Sequence, residues 1–177
     1  LEGFCDDCEA VYLGLGIAEP RRRPTLWEVD YQANLNVLQE AERAGVRHGI
    51  FITAIHSDRL RLQGVLPAEA RERVVDALRA SKLRWTVFRG TGFFSDMARL
   101  FQMAVRGTGW IIGDGLNRMN PVHGADLGEE VVNAIGDEAY WDRELMRGGP
   151  EVLTFREIYA LAFEALERPV NVRSVPR

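Results

Sequence analysis

Glu9-Ala10-Val11-Tyr12-Leu13-Gly14-Leu15-Gly16 reads as a short β-strand that runs straight into a glycine turn. In an open α/β sheet, ligands bind beyond the carboxyl ends of the strands, where small residues let them approach the backbone. The residues just after the turn are the informative ones. Ile17, Ala18, Glu19 and Pro20 lead into Arg21-Arg22-Arg23, which reads as a loop and not as the start of a helix. A helix N-terminus is what would hold a phosphate, and a lone G-x-G says little by itself. We therefore read the chain as a domain without its N-terminal portion, a reading that Leu1 in place of Met also fits.

Outward from this strand the pattern alternates between strand-like and helix-like, the mark of an α/β domain with a mostly parallel sheet. A helix is expected from about Leu26 to Ala44, with Val29, Ala33, Val37, Leu38 and Ala41 on its apolar face and Gly45 ending it. Gly49–Thr53 is a continuous apolar run, as in a strand covered on both faces. A loop is expected from Ala54 to about Pro67, then a helix from Ala68 to Ala80 and a strand at Trp85–Phe88. A further helix spans 94–105, with Met97, Leu100, Phe101 and Ala104 at helical spacing. That stripe reads first as core; a substrate-facing wall is the alternative. Beyond it come a short strand at Trp110–Ile112, an extended stretch at 119–123 and a helix from Asp126 to Ile135. A weak strand at Glu144–Met146 precedes a last helix opened by the capping box Thr154-Phe155-Arg156-Glu157, and a strand is expected at Val170–Val175. No repeat or domain boundary is visible.

The ends of three strands carry the candidate ligand residues: Gly14-Leu15-Gly16, Thr53-Ala54-Ile55-His56 and Arg89-Gly90-Thr91-Gly92-Phe93. Their convergence is the argument for a binding site; the plainer reading is that glycines at strand ends make turns.

Composition excludes several classes. A chain of 177 residues with 46% hydrophobic and 27% charged residues suits one globular domain with a real core. The net charge of −4 gives no basic field for nucleic acid. Arg21-Arg22-Arg23 reads as a solvated loop, with a clamp for a 2′-phosphate or an acidic substrate group as the alternative. No apolar run approaches the roughly 18 residues that a bilayer span requires. No signal peptide is visible, so a cytoplasmic location is expected, and a protein partner stays open. Cys5-Asp6-Asp7-Cys8 supplies two ligands where a zinc site takes four, and the neighbouring carboxylates should raise the thiol pKa values. Both cysteines read as ordinary thiols.

Several segments resemble the atypical short-chain dehydrogenase/reductase superfamily, NmrA-like proteins included. They are Gly14-Leu15-Gly16, Asp30-Tyr31-Gln32-Ala33-Asn34-Leu35-Asn36-Val37-Leu38, Ala44-Gly45-Val46-Arg47, Arg89-Gly90-Thr91-Gly92-Phe93-Phe94 and Asn120-Pro121-Val122-His123-Gly124-Ala125-Asp126-Leu127. The resemblance implies a Rossmann-like parallel sheet with helices on both faces, here lacking its N-terminal strands. It makes residues 1–177 a single partial NAD(P)-binding domain, of which about 106–177 form a small C-terminal substrate region. It implies a dinucleotide, NAD or NADP with NADP preferred, bound weakly if at all by this stretch alone. Gly14, Leu15 and Gly16 match the loop along the adenosine and diphosphate side. Thr53, with Ala54 after it, matches the strand end beside the nicotinamide. Arg89 through Phe93 match the segment over the nicotinamide, with Gly90 where the family has proline. His56, Phe94 and Met97 are the candidate substrate contacts.

The resemblance stops short of catalysis. Typical members use Tyr-x-x-x-Lys, in which the lysine lowers the pKa of the tyrosine. Lys82 is the only lysine and Leu78 stands four before it, so the dyad is absent. Arg71 matches the lysine position best; arginine stays protonated and can hold a ribose or phosphate but is no general base. His56 is the alternative proton donor, against the plainer reading of an exposed loop histidine. His123 reads as a turn residue at a helix start, with Asp126 or Gly124 capping; Asp30 and Asn36 read as loop-orienting side chains. The expected function is an NAD(P)-dependent oxidoreductase acting on a small organic substrate. The alternative is a non-catalytic dinucleotide sensor or accessory subunit.

Overall fold

The computed structural model describes residues 1–17 and 22–176, so Arg21 lies outside the described residues. The chain divides into two compact units: Leu1–Gly90 with Gly128–Met146, and Thr91–Leu127 with Arg147–Arg177.

The first unit is built on a parallel sheet. Strands β1 (Ala10–Leu13), β2 (His48–Ala54) and β3 (Arg84–Gly90) pair in parallel, and β6 (Arg143–Arg147) completes the order β1-β2-β3-β6. The connections are helical, as parallel pairing requires. Between β1 and β2 runs a wide-turned π-helical segment, Trp27–Ala33, continuing into α1 (Asn34–Ala44). Thr25 and Glu28 open it as a reciprocal capping box, Thr25 N–H donating to Glu28 Oε2 at 2.6 Å and Glu28 N–H to Thr25 Oγ1 at 3.2 Å. Gly45, at φ 74°, closes α1 as expected.

Between β2 and β3 lie α2 (Ser57–Leu62) and α3 (Leu66–Ala80). The loop expected from Ala54 to Pro67 is therefore corrected: most of its first half is a helix. Leu60 and Leu62 are both exposed, so α2 has no buried stripe for periodicity to show. Arg61 ties it to α3, pairing with Glu69 at 3.0 Å and Asp76 at 2.6 Å.

Side chains alternate across the strands, and the two faces have different covers. Val11, Leu13, Phe51 and Val87 form one core with Leu38 and Ala41 of α1 and Val74, Val75 and Leu78 of α3. On the other face, Phe88 packs at 6.3 Å from Tyr140, in the 3-10 turn Glu138–Tyr140. His48 also lies on that face. The Thr86 hydroxyl donates to the Tyr140 carbonyl at 2.7 Å, so the 2.8 Å contact between His48 Nε2 and Thr86 Oγ1 requires the proton on Nε2. His48 Nδ1 is then a buried acceptor with no hydrogen-bond partner among the described residues.

Burial holds the His48 pKa below the ordinary histidine value, only partly opposed by Asp142. The unfolded chain takes up this proton near about pH 6.5 and the folded chain does not, so stability is full above that value and falls as the pH drops through it. Urea midpoints measured on both sides of that value should fall with acidity in the wild type and fall less in His48→Gln. Equal losses in the two proteins would show that another group governs the acid response.

The second unit holds α4 (Phe94–Val105), β4 (Gly109–Ile112), β5 (Arg118–Met119), β7 (Leu153–Thr154), α6 (Phe155–Ala165) and β8 (Val172–Val175). β4 pairs with β8 in parallel, and β5 with β7 antiparallel. Tyr159, fully buried, anchors a core with Ala104, Ile111, Ala162 and Phe163. Its hydroxyl accepts the Trp110 N–H at 3.1 Å. The expected Thr154 capping box is present, with Glu157 N–H donating to Thr154 Oγ1 at 3.2 Å and Thr154 N–H to Glu157 Oε2 at 2.7 Å. Helix α5 (Gly124–Ala134) spans the division between the units.

Candidate functional site

The turn after β1 is held from below by two side chains. Asn34, with no exposed surface, accepts the Leu15 N–H at 3.2 Å and donates to the Leu15 carbonyl at 2.8 Å. Its amide also donates to the Asp30 carbonyl at 3.0 Å. Asp30, also buried, accepts the Ile17 N–H at 3.0 Å through Oδ2. Both residues come from the junction of the π-helical segment with α1, and the wide turn there aims Asp30 and Asn34 at one loop. Asp30 thus orients a loop as expected. Asn36 instead accepts a bond from Gln32 on the exposed surface, and the bracing role belongs to Asn34.

Arg71 joins this group from α3. Its Nε donates to Asp30 Oδ1 at 3.2 Å, and its Nη2 lies 3.4 Å from where a Cβ on Gly16 would sit. A side chain at position 16 would crowd both Asp30 and Arg71. The guanidinium is anchored by Nε, and Arg71 remains 36% exposed in its side chain beside the turn. Gly14, Leu15, Gly16 and Arg71 are therefore brought together.

At the ends of β2 and β3 the register sets Thr53 opposite Arg89 and Ala54 opposite Gly90. Thr53 Oγ1 lies 3.4 Å from Ser57 Oγ, which in turn reaches Glu72 Oε1 of α3 and, at 2.8 Å, the Ala54 carbonyl. Arg89 uses all five of its N–H donors here. Nε donates to Glu144 at 2.8 Å, Nη1 to Ser57 and Glu72 at 2.8 Å each, and Nη2 to Glu72 at 3.1 Å and Glu144 at 3.3 Å. Burial by itself would lower the Arg89 pKa, but the bonds to Glu72 and Glu144 outweigh it and hold the charge more firmly. Arg89 braces the strand ends and has no donor left over for a ligand. His56 sits at φ 59° at the head of α2, its carbonyl accepting the Leu60 N–H at 3.0 Å.

Thr91, Gly92, Phe93, Phe94 and Met97 belong to the second unit. There the Thr91 hydroxyl donates to the Asn120 carbonyl at 2.6 Å, and Val122 exchanges bonds with Gly92 (2.9 Å) and Phe94 (3.2 Å). Gly92 takes φ 131°, which L side chains rarely adopt. Phe94 and Met97 line a cleft of about 250 Å³ between α4 and α6. His123 Nδ1 accepts the Ala125 N–H at 3.3 Å, so the histidine ring itself, not Asp126 or Gly124, meets the first turn of α5.

The other candidates stay apart. Arg22 and Arg23 are exposed. Cys5 is buried and Cys8 exposed, both free; burial, then Cys8 and Glu40, push the Cys5 thiol up, with Asp6 adding less. Among the described residues no helix is long and apolar enough to cross a membrane.

This architecture, a parallel sheet flanked by helices with its braced glycine turn at a strand end, is a Rossmann-like fold, which the chain shares with solved enzymes that carry NAD or NADPH. The chain is 29% identical over 162 residues to the divinyl chlorophyllide a 8-vinyl-reductase of Oryza sativa subsp. indica, a chloroplastic enzyme, matching 85% of this chain. It spans 38% of the length of that relative. Among solved structures, it matches UDP-glucuronic acid 4-epimerase from Bacillus cereus in complex with NAD at a TM-score of 0.77 and 12% identity, over 96% of this chain and 63% of the epimerase. It matches the NADPH-dependent quinone oxidoreductase of Escherichia coli at 0.76 and 16%, over 97% of this chain and 55% of that one. No family model matches the chain.

Proposed function

We propose that the chain forms part of an NAD(P)-dependent oxidoreductase, with the dinucleotide lying along the Gly14–Ile17 turn and Arg71 beside it. The observation that carries this reading is the turn itself. Two buried side chains fix its backbone at the C-terminal ends of parallel strands, where such folds take their ligands. Arg71, permanently charged, holds a ribose or phosphate group and transfers no proton. Thr53 is positioned through Ser57 at the end of β2, and the nicotinamide supplies or accepts the hydride when bound. The relatives named as reductases favour hydride transfer over a non-catalytic sensor role.

Equilibrium titration with NADPH and NADH tests this. We expect saturable but weak binding, with NADPH ahead. Arg71→Ala should weaken it by about tenfold, the equivalent of about 1.4 kcal/mol. An unchanged affinity in Arg71→Ala, or no saturable binding of either dinucleotide, would overturn the assignment.

A further inference from the structure

Helix α4 is apolar on more than the side that faces its core. Leu100, Met103 and Ala104 pack on the Tyr159 cluster. A second row, Phe94, Met97 and Phe101, turns to the cleft it shares with Leu161 and Ala165 of α6 and with Leu153. Phe94 and Leu161 are each 49% exposed. Apolar side chains gathered in one open cleft mark a binding surface more often than singly scattered ones do.

The chemistry of the lining narrows the occupant. Every residue around the cleft is phenylalanine, methionine, proline, leucine, isoleucine or alanine. No lining side chain carries a charge or a hydrogen-bonding nitrogen or oxygen, and a charged or strongly polar group placed there would lose its water without compensation. The nearby polar pair, Thr154 and Glu157, is closed on itself by the capping box. Nine lining residues and about 250 Å³ are too few for a stable protein interface, which takes roughly 20–30 residues a side. They suit a ring or a branched hydrocarbon segment. The flexible Met97 lets the wall adapt to its shape.

We propose that the α4–α6 cleft binds a neutral hydrocarbon portion, a ring or a branched segment, of the organic substrate of the oxidoreductase. The binding claim rests on the cleft alone; calling the occupant the substrate rests on the proposed function.

The test is fluorescence titration with the neutral dye Nile red, with naphthalene as a competing hydrocarbon. Ala165 lines the cleft and is exposed, so Ala165→Phe fills the space without entering the core. Leu161→Gln makes the wall polar at an exposed position and guards against a folding defect in the first variant. We expect one saturable dye site, displaced by naphthalene, with affinity lowered by about tenfold or more in each variant and NADPH titration unchanged. Dye binding that is absent, or indifferent to both substitutions, overturns the proposal. So does sedimentation showing a dimer that Ala165→Phe dissociates, because a second copy would then be what covers the cleft. Loss of dinucleotide binding with the dye site intact counts against the oxidoreductase reading and leaves the apolar site standing.

Discussion

Arg89→Met should lower the free energy of unfolding by about 3–5 kcal/mol, the range seen when one partner of a buried ion pair is removed. Arg89 and Glu72 are both nearly inaccessible, and five N–H donors converge on two carboxylates and a hydroxyl. Deleting the guanidinium leaves the Glu72 carboxylate buried without its cation, still bonded to the Ser57 hydroxyl. Glu144 suffers less, because Arg79 also reaches it and it is partly exposed. The asymmetry gives a sharper test than the single variant. Arg89→Met/Glu72→Met removes both charges, and the apolar replacement of a buried pair is often close to neutral. The double variant should therefore recover most of the loss in urea unfolding, giving a coupling energy of the order of 3 kcal/mol. Additive losses would mean that the two residues act separately and that the network is not what locks the strand ends. The same lock positions Ser57 and, through it, Thr53, so the variant also tests whether the end of β2 is preorganised for a ligand.

The sheet is legible in the sequence because its signals are local. Apolar runs at Val11–Leu13, Gly49–Thr53 and Trp85–Phe88 are strands in the structure, and helix 94–105 falls where its spacing puts it. Gly45 and Thr154 end and begin helices because a left-handed C-terminus and a capping box are written in a few adjacent residues. The Thr25-Leu26-Trp27-Glu28 box is written just as locally, but the arginine loop before it hides it. Partnership across the chain leaves no such local mark. Glu72 and Glu144 look like surface acids on a helix and a weak strand, and only the register of β3 carries Arg89 to both. Ser57 hides in what reads as a loop, since α2 buries almost no apolar surface and so leaves no periodic trace. Asn34 and Asn36 are two residues apart in the same motif. Which of them faces the turn depends on the wide π-helical segment before α1, which a uniform helical wheel does not anticipate.

Asn34→Leu should detach the turn after β1, and Asn36→Leu should not. Asn34 closes a ring with Leu15, accepting its N–H and donating to its carbonyl, while tying the same amide to the carbonyls of Val29 and Asp30. Leucine fills the volume and makes none of these bonds, so Leu15 is left with a donor and an acceptor to satisfy. Each such group costs about 1–3 kcal/mol when water cannot replace the partner. Leu15 is itself exposed, so the loss should lie near the low end, about 2 kcal/mol in all. Asn36→Leu removes one exposed side-chain bond and should change stability by less than about 0.5 kcal/mol. Amide hydrogen exchange separates the causes. In Asn34→Leu, exchange at Leu15 and Ile17 should quicken while the β2 and β3 amides keep their protection, and NADPH affinity should fall by about tenfold or more as the turn loses its fixed geometry. Quickened exchange with undiminished affinity would separate the turn from the cofactor and move the dinucleotide elsewhere on the sheet edge. Unchanged exchange would mean that Asp30 and Arg71 hold the turn without Asn34.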